Sequence, residues 1–161
     1  MANRHQFLNS ALAGLLLTPI PIIARAETYL TETQAASVLF PGVKLEPRVN
    51  SVSPARVLWG PGKEALFIDK VLGKHDFITY AVAVTPDGKV KGVEIMDYRE
   101  TYGSQIRDKA WRDHFVGKSE KDPLRLDQDI PNISGATLSS KHVTDGVRRI
   151  LQTYETLRAK A

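Results

Sequence analysis

No cysteine occurs anywhere in the 161 residues. A disulfide scaffold, a thiol nucleophile, a thiolate zinc site and an iron–sulfur cluster are therefore excluded. Charge of one sign is not in excess either. Lys and Arg number 22 against 18 Asp and Glu, a formal net charge of +4. These charges interleave, as in Arg107-Asp108-Lys109 and Arg112-Asp113. That is the pattern of a solvated surface, whereas nucleic acid needs a clustered basic face. Internal repeats and low-complexity tracts are absent. No two histidines stand at a ligand spacing such as His-x-x-x-His, so a metal site has no sequence support. What remains, 42% hydrophobic and 7% aromatic, is the composition of one ordinary globular domain.

Long apolar runs are scarce too. The longest, Ala11 to Ala24, has 14 residues and contains Pro19 and Pro21. A membrane-spanning helix needs about 20 predominantly apolar residues, and proline breaks helices. The run follows a short basic start at Arg4 and ends in Ala24-Arg25-Ala26, a small–x–small cleavage signal. This layout predicts a secretory signal peptide over residues 1–26. An uncleaved N-terminal membrane anchor is the competing reading. No Arg-Arg pair precedes the run, and no cysteine follows the site to carry a lipid. Cleavage removes Arg4 and Arg25 and no acid, so 135 residues remain and the charge falls from +4 to +2.

The rest predicts two further parts, residues 27–64 and residues 65–161. In the first, Thr31-Glu32-Thr33-Gln34 reads as a capping box opening a short helix. Ala35, Val38, Leu39 and Phe40 supply its buried side, and Pro41-Gly42 stops it. Residues 43–64 are rich in proline and glycine and read as irregular, with a short strand at Val57-Leu58-Trp59. In the second part, Ala65 to Leu72, Phe77 to Thr85 and Val90 to Tyr98 read as three strands of an antiparallel meander. Gly73-Lys74-His75-Asp76 and Pro86-Asp87-Gly88-Lys89 separate them. Ile106, Ala110, Trp111 and Phe115 have helical spacing, which predicts about three turns ending near Gly117. Residues 118–133 read as polar loop, with a short strand possible at Leu124 and Leu126. Val143, Val147, Ile150, Leu151, Tyr154 and Leu157 form one apolar stripe of a long C-terminal helix. Ser139 or Ser140 is its natural N-cap. The expected fold is α+β, a single domain with a small antiparallel sheet and packed helices.

The chemistry concentrates in Ile133-Ser134-Gly135-Ala136-Thr137-Leu138-Ser139-Ser140. Gly135 permits unusual dihedrals or close approach, and Ala136 adds little bulk. Thr137 and its serine neighbours present hydroxyls. A helix start offers free N–H groups and a positive dipole end, which favour phosphate. The segment therefore places an unhindered hydroxyl beside an anion site. Alone it would equally serve as a polar turn with a cap. Ser-Gly-Ala-Thr, however, arises by chance at on the order of one position in 10⁵.

With its surroundings, this signature resembles the FMN-binding domain family. That family includes flavin subunits of the Rnf and sodium-translocating NADH:quinone oxidoreductase complexes. Its members carry Ser-Gly-Ala-Thr ahead of a helix, and the family's Glu-Thr-Pro-Gly matches Glu100-Thr101-Tyr102-Gly103 here, with tyrosine in place of proline. Trp111, Phe115, Gly117 and Lys118 look like the stand-alone periplasmic branch, and the likeness runs from about Phe77 to Leu157. It implies a covalent FMN whose phosphate is esterified to Thr137, attached by an exported flavin transferase with FAD as donor. Ser134, Gly135, Ala136, Leu138 and Ser139 are then the implied surroundings of the phosphate. Glu100, Thr101 and Gly103 are implied cofactor contacts, Glu100 by accepting hydrogen bonds, with a solvated acid after a strand as its other reading; the Tyr102 ring offers an aromatic face for stacking on the isoalloxazine. The family's frequent acid three residues before the serine is Pro131 here, with Asp129 and Asp127 the nearest acids.

The expectation is thus a periplasmic electron-transfer flavoprotein with a redox partner, membrane-bound or soluble. A flavin enzyme with its own substrate and a non-redox ligand-binding or accessory module are the other readings. Lys141 and His142, in the first turn of the last helix, are candidates near the phosphate or solvated residues. Trp111 reads as core, and Trp59 as exposed or partly buried. No Ser-His-Asp arrangement has motif support.

Overall fold

The computed structural model describes residues 29–160. The expected signal peptide lies outside them. Helix α1 spans Glu32–Leu39 and opens with the expected capping box. The Thr31 hydroxyl accepts from the Gln34 N–H at 3.3 Å, and the Gln34 amide oxygen accepts from the Thr31 N–H at 2.8 Å. Ala35 and Leu39, one turn apart, face the sheet and are buried. Val38, expected beside them, sits on the flank of the helix and is 56% exposed.

Five strands follow: β1 Glu46–Arg48, β2 Arg56–Trp59, β3 Ala65–Leu72, β4 Phe77–Val84 and β5 Val90–Asp97. They pair antiparallel in sequence order, β1-β2-β3-β4-β5. The three long strands fall where alternation and turn residues place them. The segment expected to be irregular contributes β1 as well as β2 to the same sheet. All three residues of β1 are exposed, so it has no apolar alternation to read.

Each face of the sheet carries a helix. Phe67, Ile78, Tyr80, Val82 and Val93 line one face under α3, Thr137–Arg158. Leu58, Leu66, Ala81, Ala83 and Met96 line the other under α1. The α3 stripe is as expected: Val143, Val147, Ile150, Leu151 and Tyr154 are fully buried, each aliphatic burial contributing about 1.5–3 kcal/mol. Trp59 is buried, not exposed, and stacks on Tyr154 at 5.7 Å between ring centres. Asp69 is buried in the same interface, where it accepts from the Tyr80 hydroxyl at 3.0 Å and from Arg149 at 2.5 Å.

The middle helix differs from expectation. In place of three continuous turns, a 3-10 turn at Ser104–Arg107, a short α2 at Lys109–Arg112 and a second 3-10 turn at Asp113–Phe115 follow one another. Asp108 adopts an extended conformation, φ −64° and ψ 129°, and interrupts the run. Ile106, Trp111 and Phe115 still reach the core, because short turns in series approximate helical spacing. Leu124 and Leu126 form no strand. Leu124 has φ +46°, and Leu126 makes a lone bridge with Ile130.

Both outer strands are shielded. On β5, Val90 exchanges bonds with Gly117 and Lys118, Arg112 donates to the Val93 carbonyl, and the N–H groups of Tyr29 and Leu30 point at the Met96 carbonyl. On the opposite edge β1 is three residues long, charged at both ends and centred on Pro47. Short, charged or proline-bearing edges resist pairing with other chains.

Candidate functional site

Three segments far apart in sequence meet at one end of the sheet. They are the β3–β4 turn, the chain leaving β5, and the start of α3. Between them lies a cleft of about 390 Å³ lined by Lys74, His75, Glu100, Thr101, Tyr102 and residues 135–139. That volume is within the usual range for a small-molecule or cofactor site.

The α3 segment is built by backbone. Gly135 takes φ +81°, a left-handed turn, and nothing crowds the position of its missing side chain. Ala136 follows as N-cap with no side-chain cap bond, and the helix proper starts at Thr137. The expected serine cap is not used. Ser140 lies inside the first turn, and its hydroxyl donates back to the Ala136 and Thr137 carbonyls at 3.1 and 3.2 Å. The first backbone N–H with a helical acceptor is that of Ser140, on Ala136 at 3.0 Å. Among the described residues, the N–H groups of Thr137, Leu138 and Ser139 have no backbone acceptor. Thr137 is exposed beside them. A helix end of this kind carries a partial positive charge and three free donors.

The chain after β5 is pressed onto that turn. Gly103 is buried with φ +88°. A Cβ there would overlap the Ala136 Cβ and stand 2.7 Å from the Tyr98 hydroxyl. Only glycine fits both the dihedral and the space. The Tyr98 hydroxyl donates to the Tyr102 carbonyl, and burial pushes the Tyr98 phenol above its usual pKa. The Tyr102 ring itself is 77% exposed at the cleft.

The third segment is held by a side chain. The Glu100 carboxylate accepts from the backbone N–H groups of His75 at 2.6 Å and Asp76 at 3.0 Å. The His75 ring stands 3.3 Å from its other oxygen. Burial alone would push the Glu100 carboxyl up. The N–H groups of His75 and Asp76 outweigh it and hold the carboxyl below the usual carboxylate range. His142 adds a second tie, its ring nitrogen bonding the Leu72 carbonyl at 2.5 Å.

Of the residues singled out by sequence, Glu100, Thr101, Tyr102, Gly135, Ala136, Thr137, Leu138 and Ser139 line the cleft. Gly103 packs behind its wall, and Ser134 lies just outside the lining. Glu100 lines the cleft with its carboxylate turned to the β3–β4 turn. His142 serves the strand end, and Lys141 pairs with Asp145 at 2.6 Å. Asp129 is occupied by the N–H groups of Leu124 and Arg125 and by Lys118. The Pro131 carbonyl accepts from the buried Trp111 indole at 2.8 Å. Lys74 and His75 were not foreseen, because Gly73-Lys74-His75-Asp76 reads locally as nothing more than a strand separator.

Residues 73–152 match the FMN-binding domain family. The chain carries an FMN-binding domain. The matched span runs from the β3–β4 turn to α3, so the FMN-binding domain encloses all three segments of the cleft. Two curated relatives overlap it. One is a component of the Na(+)-translocating ferredoxin:NAD(+) oxidoreductase complex of Acetobacterium woodii, 34% identical over 83 residues, covering 46% of this chain and 40% of the relative. The other is a component of the proton-translocating ferredoxin:NAD(+) oxidoreductase complex of Clostridium ljungdahlii, 36% identical over 88 residues, covering 49% and 46%. The chain thus spans less than half the length of either relative. The cleft fits FMN in kind: free N–H donors for a phosphate, a small left-handed turn beside them, and an exposed aromatic face for a ring system.

Proposed function

We propose that this chain is an exported electron-transfer flavoprotein in which FMN is tethered through its phosphate to Thr137. The observation that carries this reading is Thr137, exposed at a helix start without a side-chain cap, inside the cleft of an FMN-binding domain. FMN, once bound, supplies chemistry the twenty side chains lack: it accepts an electron pair and releases electrons singly.

The chain's own residues hold and orient. The N–H groups of Thr137, Leu138 and Ser139 balance phosphate charge at the start of α3. Gly135 and Ala136 keep that approach open. Tyr102 offers an aromatic face, and Tyr98 with Gly103 fixes the backbone that carries it. Glu100 holds the β3–β4 turn as the remaining wall. Thr137 would hold FMN as a phosphoester of its hydroxyl oxygen, with FAD as the donor and AMP released when a flavin transferase loads it. A phosphoester keeps the cofactor from being lost by dilution outside the cytoplasm, which suits a chain with a secretory leader and a periplasmic location. The two relatives belong by name to ion-translocating ferredoxin:NAD(+) oxidoreductase complexes, which supports a membrane-bound redox partner here.

The test is intact mass and visible absorption after co-expression with a flavin transferase. The wild-type chain is expected to be yellow and to carry one FMN-phosphoryl adduct on the Thr137 peptide. Thr137→Ala is expected to lose the adduct completely while keeping its fold. An unmodified wild-type mass in the presence of active transferase refutes the covalent reading. A colourless chain whose function survives Thr137→Val favours a non-redox module.

A further inference from the structure

The cleft has a short list of charges. Its lining holds three titratable side chains besides Tyr102: Lys74, His75 and Glu100. The Glu100 carboxylate is committed to the N–H groups of the turn and to the His75 ring. Lys74 is exposed, and among the described residues its ammonium has no ion-pair partner. At the start of α3 three free N–H groups suit an anion, and the nearby Lys141 is paired with Asp145. The one uncommitted ammonium of the lining therefore sits on the β3–β4 turn, away in sequence from the phosphate end.

We propose that Lys74 is the electrostatic pole of the cleft and favours the reduced flavin. This rests on the reading of the cleft as an FMN site. Two electrons and one proton convert a neutral oxidised flavin ring into an anion, so reduction adds one negative charge. An unpaired ammonium carried on a held turn at a partly enclosed cleft stabilises that charge and raises the reduction potential. The turn is suited to the role because it is held in advance. Glu100 fixes its backbone with two N–H bonds, and His142 fixes the adjoining end of β3. Glu100 acts here as a positioning residue.

The experiment is a reductive titration with dithionite of the flavin-loaded wild type, Lys74→Gln and Lys74→Arg, at fixed pH and ionic strength. Lys74→Gln is expected to shift the reduced-to-oxidised ratio toward oxidised by on the order of tenfold. For a two-electron couple that is about 30 mV. Lys74→Arg, which keeps the charge, is expected to stay near the wild type. Equal potentials in wild type and Lys74→Gln overturn the proposal. So does a Lys74→Arg that falls as far as Lys74→Gln, since charge would then not be the cause. Intact mass separates the two readings. A normal Thr137 adduct with an unchanged potential in Lys74→Gln removes the role of Lys74 alone. A wild-type chain that takes up no flavin removes both.

Discussion

The two outer walls of the cleft are made in opposite ways. The α3 wall is a local construction. Ser134 to Ser139 bend at Gly135 and enter a helix, and the Gly135 dihedral, the unfilled N–H groups and the exposed Thr137 are all set within six residues. The β3–β4 wall is made at a distance. Its turn is held by a carboxylate 25 residues away in sequence and its adjoining strand end by a histidine 70 residues away. A local wall survives changes elsewhere in the chain, whereas a remote one depends on the whole fold being in register. Between them, the chain leaving β5 joins the two, with Glu100 on the β3–β4 turn and Gly103 against Ala136.

The largest effect is expected where the joining chain meets the α3 wall. Gly103→Ala forces a side chain against Ala136 and the Tyr98 hydroxyl at a positive φ. A loss on the order of 2–4 kcal/mol is expected in urea unfolding. A variant as stable as the wild type would show that the joint is looser than its distances imply.

Breaking the remote wall alone is expected to cost less. Glu100→Ala leaves the His75 and Asp76 N–H groups to water, at about 1–3 kcal/mol by the same measurement. A pH series sharpens the point. The Glu100 carboxyl is held below its ordinary value, so its folded form binds a proton less readily than its unfolded form. Its contribution is therefore complete above the unfolded pKa of about 4.3 and is lost as pH falls through the lower folded value. Thermal unfolding at pH 7 and pH 3 is expected to show a smaller drop in Glu100→Gln than in wild type. Equal drops would assign the acid sensitivity to other carboxylates.

The smallest effect belongs to the local wall's surface. Lys141→Ala removes an exposed ion pair with Asp145, one turn past Thr137. The expected stability change is about 0–0.5 kcal/mol, with flavin loading by mass unchanged. A marked drop in loading would give Lys141 a part in the site.

The same division explains what could be read from sequence. The three long strands, the capping box of α1 and the stripe of α3 rest on periodicity and local chemistry, and they appear where those signals put them. Thr137 and its neighbours were legible because a helix start and a four-residue signature are local. The grip of Glu100 on His75 and the place of Lys74 in the lining were not, since sequence shows a turn and an acid but not that one holds the other. The broken middle helix escaped for a related reason. Trp111 and Phe115 keep helical spacing while Asp108, an unremarkable residue, takes the extended conformation that divides the run. Strand β1, exposed at all three residues, carries no pattern at all.

The shielding of the sheet's two edges bears on how other molecules can meet this one. Val90, Val93 and Met96 have their outward groups occupied on β5, and β1 is too short and too interrupted to template a ladder. A partner is thereby denied the least selective grip that β proteins offer, recognition of bare backbone by an added strand. What is left to be recognised is side-chain identity and the relief around the cleft. Under the proposed electron-transfer role, selectivity among donors and acceptors falls to exposed cleft residues such as Tyr102, Leu138 and Lys74, where single substitutions can retune it without disturbing the sheet.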